Sequence, residues 1–232
     1  MPTGTDEGRR LRRRALTAAR VLGVSVLAIG ALHMPFARGL LMRVGGCPMA
    51  EGSKMTPVEM DRARRMSVTA APGTSSAPAR PALAFALDVT TQRDVRAWAK
   101  GAHVDCDDVH AGLVKCTDVP GGAFGPQSRS VDELVLGFDV RGHLVNVTTL
   151  RQHLSPSQAA DSAHDIAAAL RSELGPSAHG TGGFDPVHLT RPGAYSTATV
   201  SYRFADYVAD LTAMNMGSSG ISLREHYMSA RD

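Results

Sequence analysis

Apolar positions fall into three regimes along the chain. From Val21 to Ala37 they run almost without a break (VLGVSVLAIGALHMPFA) and include no Asp, Glu, Lys or Arg. Between residues 38 and 81 they thin out among Gly, Pro, Ser and Arg. From Ala82 onward they recur with the periods of strands and helices, the patterning of a folded core.

Within that last stretch Leu83, Phe85 and Leu87 alternate with Ala, which predicts a strand. Thr91-x-x-Asp94 predicts a helix start, with Val95 and Trp98 at helical spacing and Gly101 closing it. A hairpin is expected around Val104–Cys116, then a Gly/Pro loop at 120–126. Leu134, Leu136 and Phe138 mark the next strand, and a turn at Asp139–Gly142 returns the chain through Leu144–Leu150. Ser155-Pro156-Ser157-Gln158 is a capping box with Pro at the first helical position. Its helix places Ala163, Ile166, Ala167, Leu170 and Leu174 on one stripe and stops at Gly175-Pro176. Three strands follow: Ala194–Phe204, Tyr207–Asn215 and Ile221–Tyr227. In the first, Ala198, Val200, Tyr202 and Phe204 alternate with Thr197, Thr199, Ser201 and Arg203. Upstream, Thr56-Pro57-Val58-Glu59 opens a helix to about Met66, and residues 67–82 (SVTAAPGTSSAPARPA) have linker chemistry.

Each half of the domain thus reads strand or linker, helix, then about three antiparallel strands. The predicted fold is α+β: two helices packed on antiparallel sheet, a tandem pseudo-repeat in topology, preceded by one N-terminal transmembrane helix. This element order, with the strand-turn-strand stretch LGFDVRGHLVNV (136–147), resembles small envelope proteins such as outer-membrane-assembly lipoproteins and lactamase-inhibitor-like domains. The resemblance implies a fold and no activity.

Charge changes the picture of the termini. The whole chain of 232 residues is formally +3. Residues 1–46 carry eight Arg against Asp6 and Glu7, a net of +6. Residues 47–80 carry five basic against three acidic residues, and 81–232 twelve against seventeen, a net of −5. The part with core patterning would repel a phosphate backbone on average, so nucleic acid is not an expected partner.

The basic cluster RRLRRR (9–14) precedes the apolar run. Seventeen residues of helix rise ~25 Å against a ~30 Å hydrocarbon core, and Arg20 and Arg38 can extend to the interfaces. The expected arrangement is a basic cytoplasmic tail (1–20), a transmembrane anchor or signal segment (21–37), a juxtamembrane helix and Pro/Ser-rich linker (38–81), and an extracytoplasmic domain (82–232). The positive-inside bias places the N-terminus in the cytoplasm and the domain in the periplasm or outside the cell. An uncleaved anchor in the cytoplasmic membrane is preferred over cleavage after Ala28 and Gly30, and over lipidation at Cys47.

Cys106 and Cys116 flank the hairpin turn at equal distances, which brings them opposite each other, and an oxidising compartment favours a disulfide. The rival is a metal set, His103-x2-Cys106-x3-His110-x5-Cys116, whose spacing matches no familiar zinc motif. Cys47 with Met49 and neighbouring Met residues could suit Cu(I), though at spacings too wide for a tight motif. No GxSxG, HExxH, phosphate-binding loop or dinucleotide fingerprint occurs. Arg224 and His226 share one face of the last strand, with Arg203 on the same side of the sheet. The expectation is a non-enzymatic, membrane-anchored envelope protein without a cofactor, binding an unidentified protein or other envelope partner through Arg203, Arg224 and His226. The alternative is an extracytoplasmic copper or zinc protein using Cys47, Met49, His103 and His110.

Overall fold

Reciprocal caps set where the helices begin. The computed structural model describes residues 56–69, 73–125, 128–191 and 196–231, which belong to a unit spanning Met55–Asp232. Thr56 starts α1 (Pro57–Thr69): its backbone N–H and hydroxyl donate to Glu59, whose own N–H donates back to Thr56 Oγ1. The same exchange between Thr91 and Asp94 opens α2 (Gln92–Ala102), and that between Ser155 and Gln158 opens α3 (Pro156–Leu174). Each box satisfies two backbone donors that a bare helix end leaves open. Helix α2 closes on His103 in the left-handed conformation (φ 55°), two residues beyond the expected stop at Gly101.

Eight strands form one antiparallel sheet: β1 (Asp105–His110), β2 (Leu113–Val119), β3 (Val131–Phe138), β4 (Leu144–Leu154), β5 (His179–Thr181), β6 (Thr197–Arg203), β7 (Tyr207–Asn215) and β8 (Ile221–Ser229). Their order is β1-β2-β3-β4-β8-β7-β6-β5, so each half contributes a helix and a four-strand meander, and the last strands of the two halves pair at the centre. The α+β architecture with a tandem arrangement follows the expectation, with four strands per half instead of about three. The additional strand of the second half is β5, three exposed residues without apolar alternation, held by its register with Thr199–Ser201.

One face of the sheet is apolar because strand parity puts Val114, Leu134, Leu136, Val147, Ala209, Leu211, Tyr202 and Tyr227 on the same side. Helix α3 lies against β4, β7 and β8 on this side, adding Ala159, Ala163, Leu170 and Leu174 to a shared core. Ile166 and Ala167, expected on the same stripe, are half-buried at its margin. Full burial of a Leu or Val contributes ~1.5–3 kcal/mol, which makes this layer the main source of stability. Trp98 on α2 packs edge-on to Phe85 and stacks with Phe124, and its Nε1 donates to Ala123 O.

Two expectations need correction. Residues 83–87 are not a strand: Leu83 (φ 61°) and Asp88 (φ 65°) break the extended path, and Thr90 N bonds Ala86 O in a turn. The alternation read there is real in burial, since Phe85 and Leu87 enter the core, but it is met by an irregular segment. Residues 73–81, inside the expected linker, are docked on the domain. Ala205 N donates to Ser75 O, Ala77 N to Asp206, and Tyr207 Oη to Pro81 O. A Cβ at Gly73 would lie 2.3 Å from Arg203 O, so only Gly lets the chain pass there. Proline-rich composition serves here as a low-entropy strap, because Pro loses little freedom when fixed.

Helix α1 is tied by Arg64, which donates to Asp61 and to the backbone oxygens of Ser229 and Arg231. It lies over the polar face, near Leu113, Gly137 and Asn146. The apolar run Val21–Ala37, Cys47 and Met49 lie outside the described residues. Among the described residues no helix is long and apolar enough to cross a membrane.

Candidate functional site

The polar face of β6, β7 and β8 carries the three side chains singled out in the sequence. Strand parity aligns Ser201, Asp210 and His226 in one row. Arg203, Val208 and Met228 form the row on one side, and Thr199, Thr212 and Arg224 the row on the other. Arg203, Arg224 and His226 therefore share the face, as their parity requires.

Their environments differ. Arg203 is folded onto the sheet: it pairs with Asp210 at 2.7 Å and donates to Tyr202 O and Ala209 O. His226 Nδ1 sits 3.7 Å from the other carboxylate oxygen of Asp210. Ser201 Oγ donates to Asp210 at 2.6 Å. Arg224 is exposed, beside the contact between the Thr199 and Thr212 hydroxyls at 3.3 Å. Asp210, missed in the sequence, is thus the hub. Burial alone would raise its pKa, but the neighbouring His226 ring, the hydrogen bonds from Ser201 and Arg203, and the attraction of Arg203 outweigh it and hold the carboxyl at about 2.

Ser, Asp and His in one row invite comparison with a hydrolytic triad, and the geometry rejects it. In a triad His lies between nucleophile and carboxylate and takes the proton of the hydroxyl. Here Asp210 lies between, the hydroxyl donates directly to it, and Ser201 is only 6% exposed. The arrangement knits three strands together and leaves Arg224 as an outward cation beside Thr199 and Thr212, with Met214 and Ser222 in the next row.

A second polar group lies on the opposite, helix-covered face, at the seam where the halves join. Glu225 Oε1 accepts from Arg151 at 2.5 Å and from Thr149 at 3.1 Å, while Tyr227 Oη donates to Oε2. Arg151 Nε donates to Ser130 O. Side-chain exposures of 9% for Arg151 and 3% for Glu225 place the pair in the core. Burial, and then the adjacent Glu225 charge, push the Tyr227 hydroxyl far above its ordinary pKa, so it stays a donor. The sequence held a signal for this group. Glu225 has the same parity as Leu223 and Tyr227, so an acidic residue falls on the buried side of an alternating strand.

Cys106 and Cys116 face each other across β1 and β2 and form a disulfide, with S–S 2.02 Å and Cα–Cα 4.0 Å. The bridge consumes both sulfurs of the sequence-derived metal set. His103 caps α2, and His110 ends β1 with its Nδ1 3.4 Å from Ala111 O. Among the described residues no group of three or more His, Cys, Asp or Glu is placed to hold a metal ion. The chain matches no protein-family model, no curated protein and no solved structure.

Proposed function

We propose that this chain is a single-pass envelope protein of the cytoplasmic membrane, with its N-terminus inside. Its extracytoplasmic domain binds an envelope protein or other polar partner and does not transform it. The observation that carries the reading is the polar face of β6–β8. Arg224 stands there among Thr199, Thr212 and the half-exposed Ser222, while both α2 and α3 lie on the other side of the sheet. An outward cation among hydroxyl side chains, with the exposed Met214 in the adjoining row, suits a partner surface bearing carboxylates and backbone carbonyls. Arg203 and His226 support it from beneath by fixing Asp210, and Arg224 makes the contact. The cystine supports the extracytoplasmic assignment, since such bridges persist mainly in oxidising compartments. The residues expected to span the membrane, 21–37, enter as a sequence argument alone.

The test is site-specific photocrosslinking of the full chain in its native envelope. Probes at Thr212 and Ser222 should give one discrete adduct that Arg224→Glu abolishes, whereas a probe at Asp161 on the exposed side of α3 should give none. Equal labelling from all three positions, or adducts indifferent to Arg224→Glu, would sink the proposal.

A further inference from the structure

A cavity of about 240 Å³ opens where α1, the β3–β4 turn and the C-terminal residues meet, and its polar walls are unusually rich in arginine. Arg64 and Arg65 come from α1, Arg141 and His143 from the turn, and Arg231 from the end of the chain. These groups are far apart in sequence, so their convergence is a product of folding and not of one basic run.

Three carboxylates also line the cavity, and all are engaged. Asp61 binds Arg64 through one oxygen and Arg65 through the other. Asp88 accepts from Arg80 and from Ser229 Oγ. Asp139 accepts the backbone N–H groups of Arg141 and His143, which fixes the turn. On the cationic side Arg65 and Arg231 keep 50% and 57% of their side chains exposed despite their ion pairs. Arg141 is exposed, and no carboxylate among the described residues pairs with it. Arg64, 8% exposed and locked to two backbone carbonyls, acts as the rigid floor.

Size narrows the ligand. Pockets for organic ligands span ~300–1,000 Å³, so this one fits a small anionic group. The exposed guanidinium of Arg141 and the remaining N–H donors of Arg231 suit the oxygens of a phosphate, which accept such charge-assisted bonds. We propose that this cavity binds a phosphate group, with Arg141 and Arg231 as its ligands and the paired Arg65 and His143 at the rim. Free phosphate and a lipid headgroup share this chemistry. The site is separate from the polar face of β6–β8 and does not depend on what that face binds.

The experiment uses the full chain, in detergent and in nanodiscs, with hydrogen exchange of the 139–143 turn as the readout. Inorganic phosphate added in detergent should slow exchange of the turn if the source is the free ion. Nanodiscs containing phosphatidylglycerol, compared with purely zwitterionic ones, should slow it if the source is a headgroup. In whichever arm responds, Arg141→Gln should weaken the effect about tenfold, the order expected for one charge-assisted contact. Arg224→Gln, on the separate face, should leave it unchanged. Arg141 is an exposed turn residue, so its melting temperature serves as the control for folding. No response in either arm overturns the proposal, as does equal weakening by Arg141→Gln and Arg224→Gln, which would indicate only diffuse attraction to a basic protein.

Discussion

Asp210 accepts hydrogen bonds from Ser201 and Arg203 on one neighbouring strand and faces His226 on the other, and its folded pKa of about 2 lies below the ordinary 3.8. A depressed carboxyl stabilises the fold above the unfolded pKa, and that contribution disappears as pH falls through the folded value. At ~1.4 kcal/mol per pKa unit, Asp210→Asn should cost about 2 kcal/mol at pH 7. The variant and the parent should converge as pH approaches 2, a comparison that urea unfolding at several pH values makes directly. Equal stability at pH 7 would remove Asp210 from its place as hub. Glu225 obeys a different rule because it is buried. Replacing Arg151 by Met strands a carboxylate in the core and should cost ~3–5 kcal/mol. The combination Arg151→Met, Glu225→Leu, Tyr227→Phe removes the charges and the dependent hydroxyl together and should recover most of that loss. Denaturant midpoints of the two variants decide whether the group is held for stability or merely tolerated.

Elements were legible in the sequence wherever a local rule governs them. Three helix starts followed from Thr or Ser with Glu, Asp or Gln three residues on, and Ser155→Ala should accordingly cost ~1 kcal/mol in thermal unfolding. The Cys106–Cys116 bridge followed from equal distances to a hairpin turn. Closing a loop with a separation of 10 residues, it should contribute ~2–3 kcal/mol. Reductant should therefore lower the melting temperature of the parent but not that of a Cys106→Ala, Cys116→Ala variant, and mass spectrometry should show two hydrogens gained on reduction. What stayed hidden depends on distant neighbours. Strand β5 exists only because β6 offers an edge. The 83–87 segment carries strand-like alternation, yet the positive φ of Leu83 takes the chain off the extended path. Gly73 reads as linker until Arg203 O is found 2.3 Å from where its Cβ would be. At the candidate site, parity alone placed Arg203, Arg224 and His226 on one face. Their unequal freedom came from Asp210, a residue whose role depends on register across two strand pairs.

At the scale of the molecule, the charge divides at about residue 80: the chain before it is strongly basic and the chain after it is acidic. The anchored arrangement predicts that the full protein sediments with membranes and resists extraction by high salt or carbonate. Protease added from the extracytoplasmic side should leave only a short basic N-terminal fragment; recovery of the intact chain in the soluble fraction would refute the anchor. The centre of the sheet carries one more consequence. Since β4 and β8 are the last strands of their halves and pair with each other, neither half owns both walls of the core. A break of the backbone between Leu154 and Ser155 would give two fragments, each with a bare inner edge and half of the Arg151–Glu225 pair. Produced apart they should aggregate. Produced together they should complement one another, making this chain a natural candidate for a split reporter whose reassembly is read by the return of a single cooperative melt.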